Sequence, residues 1–108
     1  VDLAVRIAVV GAVPVLEASG EIDLASVPQF RDACFRLVGE HPGVVVALDL
    51  DGVSVLDDVG LGIVLGAAGR AREHGGDLVV VCTMPKLLAR FERSGLARAV
   101  DVRDRLST

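Results

Sequence analysis

Leu3, Val5, Ile7 and Val9 alternate with smaller or polar residues, the period-two pattern of a half-buried strand. Gly11-Ala12 offers a turn, and Val13 to Ser19 reads as an antiparallel return. Pro14 falls near the start of that return strand, where a missing N–H is tolerated at an edge. Ser26-Val-Pro-Gln29 has the form of a capping box, with a Ser N-cap and Pro in the first turn. Val27, Phe30, Cys34, Leu37 and Val38 follow at helical spacing until Gly39 and Pro42. Val44 to Leu48 and Leu78 to Cys82 are continuous apolar runs, which suit strands covered on both faces. Between them, Asp57 or Asp58 caps a helix through Ile63, Val64, Ala67, Ala68 and Ala71, ending at His74-Gly-Gly76. Thr83 caps the next helix, with Leu87, Leu88 and Phe91 on one face and Ser94-Gly95 as its stop. Ala99 to Arg103 is then a last strand.

The resulting order is β-β-α-β-α-β-α-β. An N-terminal hairpin followed by βαβ units predicts an α/β fold, a mixed sheet with parallel pairs and helices packed against it. The chain of 108 residues fits a single domain over 1–108, with no internal repeat or linker. It opens on Val rather than Met, so the numbering is expected to begin inside a longer protein. Hydrophobic residues at 52% supply a core, while aromatics at 3% force that core to be aliphatic. The same scarcity of rings removes the stacking surfaces of single-stranded nucleic-acid binders. Eleven basic against fifteen acidic side chains give a net charge of −4, the wrong sign for a nucleic-acid or anionic-membrane surface. No stretch approaches the ~20 apolar residues of a membrane helix, and no signal peptide opens the chain, so a cytoplasmic location is expected. Cys34 and Cys82 lack Cys or His neighbours at metal-ligand spacing and read as buried reduced thiols rather than a disulfide or redox pair.

Candidate chemistry concentrates in the segment Leu48 to Gly62, which leaves a buried strand, crosses a short loop and enters a helix N-terminus. Gly60-Leu-Gly62 is not a dinucleotide fingerprint, because position 65 is Leu65. A P-loop is excluded because the one lysine is Lys86. Asp49, Asp51, Asp57 and Asp58 read as a helix cap and solvated carboxylates rather than a metal site, since no regular Ca²⁺ loop spacing occurs. His41 and His74 stand at helix C-termini, where they complement the dipole. No Ser has a His and an acid placed around it, so neither catalysis nor a cofactor is expected. Ser19, Ser26, Ser54, Thr83, Ser94, Ser107 and Thr108 are the whole hydroxyl supply.

Three blocks together resemble the STAS domain of sulfate-transporter tails and bacterial anti-sigma factor antagonists. They are Gly20-Glu-Ile-Asp23, then Leu48 to Gly62, then Gly75 to Cys82 followed by Phe91-Glu-Arg-Ser-Gly-Leu96. The family often adds a C-terminal helix after the strand near Val102, and this chain stops early by comparison. The resemblance implies a partner, an anti-sigma factor with a serine-kinase fold. It also implies a switch in which phosphorylation at the start of the second helix abolishes binding. Family members read Asp-Ser-Ser-Gly-Leu-Gly or Asp-Ser-Thr-Gly-Leu-Gly there; this chain reads Asp57-Asp-Val-Gly-Leu-Gly62. The phosphoacceptor position is therefore Asp58, and Val59 offers no hydroxyl either.

Three readings follow. The chain is an antagonist whose partner accepts Asp58. Alternatively, Asp58 mimics the phosphorylated, non-binding state. In the third reading, Glu21, Asp23, Asp57 and Asp58 form an acidic small-ligand or metal sensor. The expected contact set is Asp23, Asp57, Asp58, Val59, Gly60, Leu61 and Gly62, with the helical phase of Leu61 undecided between core and contact. Ser54, ahead of the helix, reads as a structural hydroxyl rather than an alternative phosphosite.

Overall fold

The computed structural model describes residues 2–106; Val1, Ser107 and Thr108 of the expected domain lie outside the described residues. A tight hairpin joins β1 (Ala4–Val10) to β2 (Val13–Ile22), and Gly11 takes the positive φ of 62° that so short a turn requires. There follow α1 (Val27–Glu40), β3 (Val45–Leu56), α2 (Asp58–Glu73), β4 (Asp77–Val81), α3 (Pro85–Ser94), α4 (Leu96–Ala99) and β5 (Asp101–Arg103). The five strands lie in sequence order; β1 and β2 are antiparallel, and each later pair is parallel. The mixed α/β sheet with helices against it is thus observed. β2 is flanked by β1 and β3, so Pro14 is not on an edge strand; it falls just before the β2–β3 ladder, which begins at Val15.

Parallel strands added always on the same side, through right-handed crossovers, put every helix on one face of the sheet. The buried residues bear this out: Phe30 and Leu37 of α1, Val64 and Ala67 of α2, and Leu87 and Phe91 of α3 share one core with Leu16, Leu48 and Val80. The opposite face is sealed without helices. Val15, Ala47, Val79 and Val81 form a smaller cluster there, against Val10, Val13 and Leu106. The helix layer does not reach the far end of β1, so Ile7 and Val9 are exposed rather than half-buried.

Strand β3 runs on to Leu56 where a short loop was expected after Leu48. Asp49, Asp51 and Gly52 are poor strand formers, but pairing with an equally extended β2 overrides local preference. The ladder shifts register between Glu17 and Ser19 and between Gly20 and Glu21. Gly52 permits the close approach, because a Cβ there would stand 2.7 Å from the Ser19 Cβ.

Two expected caps also differ. The Ser26 hydroxyl does not cap α1; it donates back to the Glu21 carbonyl at 2.7 Å and accepts from the Asp23 amide at 2.9 Å. Thr83 does not cap α3, whose N-cap is Met84; its amide and hydroxyl donate instead to Asp51 Oδ1 at 2.6 and 3.0 Å. Gly95, at φ 82°, ends α3, and the single turn of α4 buries Leu96 before β5 begins at Asp101 rather than Ala99.

Candidate functional site

The ends of β2 and β3 build the site. Ile22 pairs with Leu56, and the Asp57 amide donates to the Ile22 carbonyl at 2.8 Å. This bond brings Asp23 and Asp57 together just past the carboxyl ends of parallel strands, where open α/β sheets place their binding sites. Each carboxylate has a local task. Asp57 is the N-cap of α2, and its Oδ1 accepts from the Val59 amide at 2.9 Å. Asp23 Oδ1 accepts from the Ala25 and Ser26 amides at 3.0 and 3.1 Å, which fixes the turn into α1.

Asp58 stands in the first turn of α2, where the exposed amides favour negative charge. Its side chain is 93% exposed, yet its Oδ1 accepts from Arg90 Nη2 of α3 at 2.6 Å; Arg90 itself is 27% exposed. The Asp58 carboxylate is therefore matched by an intramolecular guanidinium. Arg90 lies 32 residues further along the chain and on another element, and no sequence signal marks it.

The remaining expected residues divide by burial. Leu61 is buried and belongs to the core, which corrects its place in the contact set. Gly60 is buried too: a Cβ would lie 2.8 Å from Leu56 Cδ1 and 3.0 Å from Ile22 Cγ2, so its role is to let α2 pack against the strand ends. Gly62 faces open space, with nothing within 4 Å of a Cβ placed there. Val59 is half-exposed and Leu24, in the β2–α1 loop, is 77% exposed, so apolar surface flanks the acidic helix start.

Glu21, Asp23, Asp57 and Asp58 do not converge on one pocket. Glu21 and Asp23 line a depression with Ser26 and Gln29, which Asp57 and Asp58 do not enter. Among the described residues, no group of His, Cys, Asp and Glu is arranged to hold a metal ion. Ser54 lies on β3, its hydroxyl donating to the Gly20 carbonyl at 3.3 Å. His41 and His74 close α1 and α2, each with its Nδ1 2.9 Å from a carbonyl of the last turn. Cys34 and Cys82 are free, buried thiols; burial pushes Cys34 up to about 12 and raises Cys82 as well.

Residues 4–108 match the family model of the STAS domain. The chain belongs to the STAS family. This STAS domain is 30% identical over 86 residues to the anti-sigma-B factor antagonist of Listeria monocytogenes, covering 80% of this chain and 75% of that one. It is also 30% identical to the anti-sigma-B factor antagonist of Bacillus subtilis over 84 residues, covering 78% and 75%. Among solved structures, it superposes on an anti-sigma factor antagonist from Mycobacterium paratuberculosis with a TM-score of 0.86 and 25% identity, over 97% of this chain and 88% of that one. The antagonist SpoIIAA in its unphosphorylated form shares the fold, with a TM-score of 0.75 and 21% identity over 94% and 90% of the two chains. No helix among the described residues of this STAS domain is long and apolar enough to cross a membrane.

Proposed function

We propose that this STAS domain is an anti-sigma factor antagonist, a cytoplasmic binding protein without catalytic activity that docks a serine-kinase-like anti-sigma factor through the exposed start of α2. Asp58 stands in this reading where relatives carry the phosphorylated hydroxyl, and docking is not switched at that position. The observation that carries it is the Asp58–Arg90 pair at 2.6 Å. Phosphoserine would add roughly −1.5 to −2 charges there. Asp58 adds one, and Arg90 balances it, so position 58 itself offers a partner close to no net charge. The contact set reduces to Asp23, Asp58, Val59 and Gly62, with Asp57 and Gly60 shaping the helix start from within. The sensor reading is weakened because Asp23, Asp57 and Asp58 each commit one oxygen to a separate local partner.

The test titrates the protein and its Asp58→Ser variant against the kinase-fold anti-sigma factors of its genome by calorimetry. A complex with the unaltered protein supports the proposal. A complex formed by Asp58→Ser alone establishes the competing phosphomimetic reading. No complex with either protein overturns the antagonist assignment.

A further inference from the structure

A second surface lies beside the α2 start and shares Arg90 with it. β4 pairs with β3 only from Val45 to Asp49, so among the described residues the second half of β3 has no strand on that side. An edge of this kind leaves backbone donors and acceptors available to another extended chain. α3 runs alongside and leaves a groove of about 210 Å³. That is smaller than the ~300–1,000 Å³ of small-molecule sites and suits the side chains of a bound segment. The floor is apolar, made by Val53, Val55, Met84 and Leu87; Val55 and Met84 are 45% and 40% exposed.

The rim carries charge of one sign. Lys86, Arg90 and Arg93 follow one another along α3 at spacings of four and three residues, which places them on one side of the helix. Arg90 is engaged by Asp58, but Lys86 and Arg93 have no ion pair among the described residues. Glu92, the acidic residue of α3, lines a different depression with Leu88 and Phe91. On a chain of net charge −4, two unbalanced cations beside an apolar groove and an open strand edge are a local inversion.

We infer that the groove between the second half of β3 and α3 docks an extended, acidic and apolar segment of a partner protein. Such a segment lies along the free edge, inserts alternate apolar side chains over Val55 and Leu87, and turns its carboxylates toward Lys86 and Arg93.

The experiment titrates ¹⁵N-labelled protein with a short peptide alternating Val and Glu, up to millimolar concentration, and follows amide shifts. The expected result is perturbation confined to Val53–Leu56 and Met84–Arg93, weakened by salt and weakened about tenfold or more in the Lys86→Glu/Arg93→Glu variant. A milder Lys86→Gln/Arg93→Gln variant serves should the charge reversal disturb folding. No perturbation, equal perturbation by a Val/Lys peptide, or shifts mapping elsewhere overturns the inference. Equal shifts from dodecanoate, with none from the peptide, mark a fatty-acid groove and also overturn it. None of these outcomes depends on the anti-sigma titration, so the two proposals fail separately.

Discussion

Replacing Arg90 with Gln keeps much of the side chain's length and removes its charge, leaving Asp58 unbalanced at the start of α2. In the free protein the effect is small. Asp58 is 93% exposed, and an ion pair so open to water contributes about 0.2–1 kcal/mol. A loss of about 1 kcal/mol lowers the melting temperature of a domain this size by roughly 4–8 °C, so Arg90→Gln should melt only a few degrees early. Docking changes the balance, because a partner that covers the α2 start strips water from the carboxylate. Removing one member of a covered charge pair costs about 2–5 kcal/mol, and ~1.4 kcal/mol is tenfold in affinity. The Arg90→Gln variant should therefore bind its anti-sigma factor at least about tenfold more weakly. The Asp58→Ser/Arg90→Gln double variant should recover, since no charge is left to balance. Calorimetric titration and thermal melts on the same samples separate the two effects. An affinity within about twofold of the unaltered protein would refute the idea that Arg90 balances the Asp58 charge on the docking surface.

Other substitutions test the packing account. Leu61→Ala should cost about 2–5 kcal/mol in urea unfolding because Leu61 is core. Val59→Ala should stay within about 0.5 kcal/mol in stability while weakening partner binding; equal effects of the two would contradict a core Leu61 beside a contact Val59. Gly76→Ala places a Cβ 2.3 Å from the Val44 carbonyl oxygen, a backbone atom that moves only with the start of β3, and should lower the unfolding free energy measured in urea by at least the ~1–3 kcal/mol of an overpacked core. Gly69→Ala, in α2 with nothing within 4 Å, should instead gain about 0.5–1 kcal/mol. Cys34, whose ordinary value of 9.0 is raised to about 12, stays protonated in the fold at pH values where the unfolded chain has lost that proton. Its contribution is whole below pH 9 and declines between 9 and about 12, by about 1.4 kcal/mol per pH unit. Unfolding measured across that range should show the full slope in the unaltered protein and a shallower one in Cys34→Ala, where only the raised Cys82 thiol remains.

Much of the fold was legible because its signals are local. The Gly11-Ala12 turn, the helical spacing of Phe30, Cys34 and Leu37, the Asp57 cap and the His41 and His74 stops depend on residues within a turn or two of one another. The start of α2, with its carboxylates at 57 and 58, was legible for the same reason. The passage from Asp49 to Leu56 was not: its own residues favour a loop, and only the ladder with β2, some thirty residues earlier in the chain, makes it a strand. The same holds for Ser26 and Thr83, whose hydroxyls look like caps locally but are claimed by Glu21 and Asp51.

By itself, then, the order of apolar runs and turns determined the sheet, its parallel pairs and the acidic helix start. Which face each residue took was a matter of assembly. The phase of Leu61 was settled only when α2 packed down over Gly60, against Leu56 and Ile22. The guanidinium opposite Asp58 arrived from α3, and the basic rim beside it exists because β4 stops short of β3. Hydrogen bonding along a strand or helix is encoded by near neighbours, whereas charge matching across elements depends on where the chain returns, and only the tertiary structure decides that.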